Sequence, residues 1–128
     1  MLPVVLAACA ASEDAKVISY ADRVTGEQPY PNNYRTELLA FMKTYLNDPV
    51  GVRDAAMAEP VQRTIGGRLR YVSCLRFTPR ETDGGYREIR ERAVVYVGGR
   101  LDHVVERAGD TCAGVDYLPF PELGKMTR

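Results

Sequence analysis

Residues 68–78 carry the pattern that decides the fold, and they read Arg-Leu-Arg-Tyr-Val-Ser-Cys-Leu-Arg-Phe-Thr. Large apolar side chains occupy four of the odd-numbered positions: Leu69, Tyr71, Leu75 and Phe77. Successive side chains of a strand point to opposite sides, so these four share one face of an extended chain. The spacing predicts a central β-strand.

Further strands are predicted on both sides of this one. They are residues 50–65, which Pro60 interrupts, 86–97 and 101–108. Pairs of glycines mark the turns between them: Gly66 and Gly67, Gly84 and Gly85, Gly98 and Gly99. Because glycine adopts the positive φ values that tight turns require, the chain is expected to reverse at each pair and form an antiparallel meander.

A helical pattern precedes the strands, between Asn33 and Asn47. Its apolar residues recur at spacings of three, four and seven: Tyr34, Leu38, Phe41, Met42, Tyr45 and Leu46. Asn33 is a suitable N-cap, Glu37 lies near the positive end of the helix dipole, and Asp48-Pro49 ends the helix. We expect the apolar stripe to pack on the sheet face of Leu69, Tyr71, Leu75 and Phe77.

The C-terminal residues 109–123 mix apolar side chains with Pro119 and Pro121. They are too rich in proline for a helix and too apolar to remain in solvent, so we expect them to cover the opposite face of the sheet. The predicted fold class is α+β: one N-terminal helix packed on a small antiparallel meander sheet of 3–4 strands, with a C-terminal tail over the other face.

The N-terminus carries a short processing signal. Residues 2–8 are uncharged and mostly apolar, and the stretch ends in Leu6-Ala7-Ala8-Cys9. It is too short to span a bilayer, which takes about 20 apolar residues. Residues 6–9 resemble the lipobox of bacterial lipoproteins, Leu-Ala-(Gly/Ala)-Cys. The resemblance implies cleavage before Cys9, a diacylglycerol on its sulfur and usually a third acyl chain on its new amine.

This resemblance gives the domain organisation and the location. Residues 1–8 are interpreted as a signal-peptide remnant whose charged start lies upstream, 9–32 as a lipid-anchored flexible tether and 33–128 as one globular domain. Ala10, which is not acidic, favours an outer-membrane lipoprotein that faces the periplasm over an inner-membrane one. The alternative is that the apolar stretch forms a buried strand of a cytosolic protein.

Cysteine usage is consistent with this location. If Cys9 carries lipid, Cys74 and Cys112 remain as an even pair outside the reducing cytosol. We expect these two to form a disulfide. The alternative is that both are buried free thiols, which pack as small apolar side chains.

Arginine is the one unusual feature of the composition, because the 17 basic residues include only three lysines. Strand alternation places Arg68, Arg70, Arg76 and Arg80 on one face and Arg90 and Arg92 together on the next strand. Rows of guanidinium groups suit phosphate or carboxylate, as in an anionic lipid, a glycolipid or an acidic envelope protein. The alternative is pairing with Glu88 and Glu91 across the strands. The zero net charge disfavours nucleic acid as a partner.

Residues suited to catalysis or metal binding are scarce. His103 is the single histidine. Neighbouring Asp102 is expected to point to the opposite side of the strand and so to be unable to orient it. A thiol and imidazole pair, or a zinc site built from His103 with Cys74 and Cys112, would compete with the disulfide. We therefore expect no enzymatic activity, no metal and no cofactor.

Two functional hypotheses follow. The first is a membrane-anchored lipoprotein that acts as a structural or protein-interaction module of the cell envelope. The alternative is a binding module for a small or anionic envelope ligand between the sheet and the C-terminal tail. In that second hypothesis the crevice is lined by Tyr71, Tyr86, Tyr96 and Tyr117.

Overall fold

The computed structural model of the protein describes residues 27–46 and 48–126. The predicted leader, Cys9 and residues 9–26 of the predicted tether lie outside the described residues. In chain order the elements are helix α1 (Tyr34–Tyr45), strands β1 (Arg53–Met57), β2 (Val61–Ile65), β3 (Arg68–Thr78), β4 (Arg90–Val97) and β5 (Arg100–Val105), a 3₁₀ turn (Gly109–Cys112), strand β6 (Leu118–Pro119) and helix α2 (Pro121–Gly124).

These strands form one antiparallel sheet of six, in the order β5-β4-β3-β1-β6, with β2 also paired to β3. The prediction of 3–4 strands is therefore wrong, although the fold remains α+β. The predicted strand 50–65 is two strands, because residues 58–60 bulge between the pairs Met57 with Leu75 and Val61 with Val72. The predicted tail supplies the sixth strand, and Pro119 is tolerated there because β6 lies at the sheet edge.

Helix α1 covers one face of the sheet, as predicted. Leu38 and Met42 are its buried residues. Asn33 precedes the helix, but its side chain makes no capping hydrogen bond, so that prediction is wrong. The carboxylate of Glu37 accepts hydrogen bonds from Arg100 Nε at 2.6 Å and from the backbone N–H of Leu101 at 3.0 Å, and thereby ties the helix to β5.

The core between the helices and the sheet contains most of the large apolar side chains. Its buried members are Leu38, Met42, Val52, Met57, Leu75, Phe77, Val94, Tyr96, Phe120, Leu123 and Met126. Tyr71 packs against this helix-side core as predicted, whereas Leu69, beside the turn that precedes β3, is 51% exposed. The long strand β3 thus contributes to this core only from its fourth residue, Tyr71, onward.

A second, smaller core lies on the opposite face of the sheet. It consists of Ala58, Val72, Cys74, Ala93, Val95, Ala108 and Cys112. Val115 and Tyr117 of the C-terminal tail pack against it. We call this the disulfide-side core, since a Cys74–Cys112 disulfide lies within it.

The tail does not stay on this second face. After Tyr117 it pairs with β1 at the sheet edge as β6, and Phe120, Leu123 and Met126 then enter the helix-side core. The predictions of a tail confined to the other face and of a tail without helix are both wrong. Pro121 stands at the start of α2, where its missing N–H costs no helical hydrogen bond.

The described end of the predicted tether lies against the sheet. Gln28 Oε1 accepts a hydrogen bond from Gly98 N at 2.7 Å, and the Tyr30 ring meets Tyr71 edge to face at 5.3 Å. Pro31 is fully buried. Residues 27–31 therefore pack at the end of the sheet that carries the turns Gly66–Gly67 and Gly98–Gly99.

Candidate functional site: an arginine-lined cleft

The disulfide prediction is confirmed: Cys74 and Cys112 are bonded, and both side chains are buried. Cys74 lies in the middle of β3, and Cys112 ends the 3₁₀ turn that follows β5. The bond therefore attaches the start of the tail to the central strand. Cys9, the predicted lipidation site, lies outside the described residues.

The six predicted arginines are divided between the two faces of the sheet. Residues directly opposite each other on antiparallel strands share a face. Arg90 is opposite Phe77 and Arg92 is opposite Leu75, so both lie on the helix side. Alternation along β3 places the remaining strand arginines, Arg68, Arg70 and Arg76, on the disulfide side.

The arginines on the disulfide side contribute to the fold rather than forming an open row. Arg70 is only 3% exposed, and its Nη1 donates to the Leu69 carbonyl. Arg76 lies opposite Glu91, with Nε 3.6 Å from its carboxylate, and its guanidinium covers the Tyr117 ring at 4.1 Å. The Tyr117 hydroxyl donates to the same Glu91 at 2.5 Å. These contacts attach the tail to the sheet. For Glu91 they agree with the alternative hypothesis, in which the arginines pair with acidic residues on the neighbouring strand.

The other three predicted arginines line one cleft on the helix side. The prediction that Arg80 shares the face of Arg76 is wrong, because Arg80 lies beyond the end of β3. It lies instead with Arg90 and Arg92 around a cavity of about 290 Å³. The cleft runs between the C-terminal end of α1 and residues 79–82 of the β3–β4 connection. Its apolar lining consists of Leu46, Phe77 and Pro79.

Two of these arginines form ion pairs with carboxylates at the edge of the cleft. Arg80 Nη2 lies 3.3 Å from Asp48 Oδ2, and Arg90 Nη2 lies 3.0 Å from Glu81 Oε2. The acidic side chains are the less exposed partners, 18% for Asp48 and 21% for Glu81 against 43% for Arg80 and 42% for Arg90. Each carboxylate thus binds its guanidinium group from the protein side, and the guanidinium groups remain partly exposed to solvent.

The third arginine is held through a tyrosine. Arg92 Nε donates to the Tyr45 hydroxyl at 3.1 Å, and that hydroxyl donates to Glu106 Oε2 at 2.8 Å. Burial raises the pKa of Tyr45, and the bond to Glu106 adds to the increase, although Arg92 opposes it. Tyr45 therefore stays protonated at neutral pH and can link the two charged groups.

The histidine lies elsewhere, on β5, and differs from its prediction. His103 is opposite Val95 while Leu101 is opposite Tyr96, so Asp102 is the extra residue of a β-bulge. Because the bulge breaks the alternation of side chains, Asp102 Oδ2 reaches His103 Nδ1 at 2.6 Å. The prediction that Asp102 cannot orient His103 is wrong. Among residues 27–46 and 48–126, no group of three His, Cys, Asp or Glu side chains could hold a metal ion.

The four tyrosines of the alternative hypothesis do not form one crevice. Tyr71 and Tyr96 belong to the helix-side core and Tyr117 to the disulfide-side core. Tyr86 donates to the Gly51 carbonyl at 2.6 Å, under the guanidinium of Arg53. The cleft of the arginines is instead the place where predicted ligand-binding residues converge.

Sequence reasoning missed the partners of these arginines: Tyr45, Asp48, Glu81 and Glu106. Helical spacing predicts only that Tyr45 belongs to the apolar stripe, and Glu106 is 61 residues from it in sequence. Local spacing could have indicated the pair of Glu81 with Arg90, since they flank a reversal of the chain. The other contacts depend on how α1 lies across the sheet.

Comparison of the chain with protein-family models, with curated proteins and with solved structures gives no match. The described part of the chain contains no helix of the length and apolarity needed to cross a membrane.

Proposed function

We propose that this protein is a bacterial envelope lipoprotein, anchored in the outer membrane through Cys9 and facing the periplasm, whose folded body acts as an interaction module. The observation that carries the proposal is the Cys74–Cys112 disulfide. Structural disulfides belong to compartments outside the reducing cytosol. Of the three cysteines in the sequence, this bond leaves only Cys9, the cysteine of the lipobox.

The length of chain between Cys9 and the folded body suits an anchored protein. Glu27, the first described residue, follows Cys9 by 18 positions, a length of chain that spans at most about 60 Å. Glu27 enters at the end of the sheet where the turns Gly66–Gly67 and Gly98–Gly99 lie. A lipid on Cys9 would therefore be connected to the body at this end of the sheet.

The same end exposes apolar side chains that suit contact with an envelope partner. Leu69 is 51% and Tyr30 is 39% exposed. They flank Tyr71 on the helix side of the sheet, where Tyr30 and Tyr71 are already in contact. Tyrosine is enriched in the centres of protein interfaces, and the exposed leucine beside it enlarges the apolar surface.

The anchor is tested by replacing Cys9 with serine in the protein expressed from its native gene. Wild type should sediment with membranes and incorporate an alkyne-labelled fatty acid, whereas Cys9→Ser should be soluble and unlabelled. The matched control, Cys74→Ser with Cys112→Ser, keeps Cys9 and should keep the label. A membrane-bound Cys9→Ser protein, or a wild-type mass without acyl groups, would contradict the proposal.

The interaction role is tested by placing a photo-crosslinking residue at Leu69 in the anchored protein. We expect one discrete adduct of higher mass on irradiation of cells. Exposed Glu88, in the connection between β3 and β4, is the control position and should give none. Absence of an adduct at position 69, or equal adducts at both positions, would rule out this end as the contact surface.

A further inference from the structure

We propose that the cleft of Arg80, Arg90 and Arg92 binds a small monoanionic oxyanion group, a carboxylate or a phosphate diester. This inference does not depend on the anchor, since it concerns only the folded body. The cavity of about 290 Å³ is near the lower end of small-molecule sites, which span about 300–1,000 Å³. It is large enough for one such group with a short substituent.

The guanidinium groups keep donors for a ligand. Among the described residues, Arg80 and Arg90 engage Asp48 and Glu81 through Nη2. A guanidinium has five N–H donors in a planar fork, so Nε and Nη1 of both remain available. Because the carboxylates are the more buried partners, they fix the orientation of the fork, and the ligand meets a donor array that is already ordered.

The surroundings strengthen a charge-assisted hydrogen bond. Buried Phe77 and Pro79 form an apolar part of the cleft wall, which limits the access of water to one side of a bound group. Thr82 adds a hydroxyl to the lining, and Tyr45 fixes Arg92. The ligand would therefore meet charged donors beside an apolar surface, as in other sites for oxyanions.

The charge of the cleft determines which anions are acceptable. Three arginines are balanced by three acids, Asp48, Glu81 and Glu106. A dianion would leave two uncompensated negative charges in the cleft, whereas a monoanion leaves one. Glu81 consequently has two effects: its carboxylate orients the guanidinium of Arg90, and its negative charge repels an anionic ligand.

This dual role of Glu81 gives a test with two opposite expected results. In the oxidised full chain carrying Cys9→Ser, ¹⁵N NMR of the arginine side chains follows titration with acetate and with dimethyl phosphate, the simplest phosphate diester. The Nε–H signals of Arg80 and Arg90 should shift and saturate. Arg90→Ala should weaken binding at least fivefold, while Glu81→Gln, which removes a negative charge and keeps the shape, should tighten it about threefold to tenfold.

The matched control is Arg87→Ala. Arg87 lies in the same connection and also forms an ion pair with Glu81, at 3.9 Å, but it is not part of the cleft lining. Its removal should change binding less than twofold. Non-saturating shifts, shifts of equal size at Arg87, or weaker binding in Glu81→Gln would overturn the proposal.

The two probes identify the ligand class. Saturable binding of acetate or of dimethyl phosphate supports the site. The probe that binds more tightly shows whether the site prefers a carboxylate or a phosphate diester. If dimethyl phosphate is the tighter, vesicles of phosphatidylglycerol and of phosphatidylcholine distinguish the source: protection of the Arg90 signal by vesicles assigns the diester to a lipid headgroup, and its absence assigns it to a soluble molecule. Failure of both probes rejects the cleft as an oxyanion site but leaves the anchor untouched.

Discussion

The Tyr96 side chain shows how much a single buried hydroxyl can matter in a small domain. Tyr96 is 1% exposed, and neither its hydroxyl nor that of buried Ser73 has a hydrogen-bond partner of good geometry among the described residues. Burial raises the pKa of Tyr96 well above its ordinary value; the neighbouring Ser73 hydroxyl opposes the rise, and the negative charge of Glu37 adds to it. The hydroxyl is therefore present as a neutral, desolvated group.

Replacing Tyr96 with phenylalanine should stabilise the protein by about 1 kcal/mol, because a buried polar group without a partner costs about 1–3 kcal/mol. The ring, which fills the helix-side core, is kept. Urea unfolding of the two proteins measures the difference. Ser73→Ala is the comparison at the neighbouring hydroxyl. A loss of more than 1 kcal/mol in Tyr96→Phe would show that the hydroxyl has a partner, such as a buried water.

At the scale of elements, the two glycine turns at the end of the sheet form a matched pair. Gly67 and Gly99 both have φ +81°, a region in which side chains other than glycine are strained. A Cβ at Gly67 would meet nothing within 4 Å, whereas one at Gly99 would lie 3.3 Å from Pro29 Cγ. The two positions thus differ in the contact with residues 27–31.

Gly67→Ala should destabilise the protein by about 1 kcal/mol, the usual cost of a left-handed backbone for an L-residue. Gly99→Ala should cost about 1 kcal/mol more, because Pro29 would have to move away from the turn. Both substitutions change the unfolded chain in the same way, so their difference in thermal or urea unfolding isolates the Pro29 contact. Equal losses would show that Pro29 does not press on this turn in solution.

The sequence predicted the elements whose signal is local. Alternation that begins at Leu69 and helical spacing between Asn33 and Asn47 identified β3 (Arg68–Thr78) and α1 (Tyr34–Tyr45), and the glycine pairs marked the turns. The missed features depend on partners far away in sequence. Strand β6 has only two residues, and nothing in the sequence Leu118-Pro119 indicates that it pairs with Met57 of β1. The sequence around Asp102 likewise gives no sign of the β-bulge, because the bulge arises from the register of β5 on β4.

The candidate site was predictable only in part, for the same reason. Arg90 and Arg92 were correctly placed together by alternation, and Arg80 was misplaced because β3 ends at Thr78 before reaching it. Strand parity does not apply beyond the end of a strand. The acidic partners were out of reach, because the ion pair of Arg80 with Asp48 requires the end of α1 to lie beside the β3–β4 connection.

At the scale of the whole molecule, the disulfide is the main covalent contribution to stability. It closes a loop with a sequence separation of 38 residues. The loop-entropy model gives about 4 kcal/mol for a closure of that length, against a total of about 5–15 kcal/mol for a typical domain. Cys74→Ala with Cys112→Ala should therefore lower the unfolding free energy by about 4 kcal/mol in urea. Wild type in a strong reductant should match the variant; unchanged midpoints in both would contradict the estimate.

The path of the C-terminal tail has a consequence for when this protein can fold. Residues 109–126 complete the disulfide-side core, extend the sheet and then close the helix-side core with Phe120 and Leu123. When the polypeptide emerges gradually from a ribosome or a translocation pore, N-terminus first, neither core can be completed before residues 109–126 have emerged. Folding of this domain is therefore expected to finish only after Met126 has emerged.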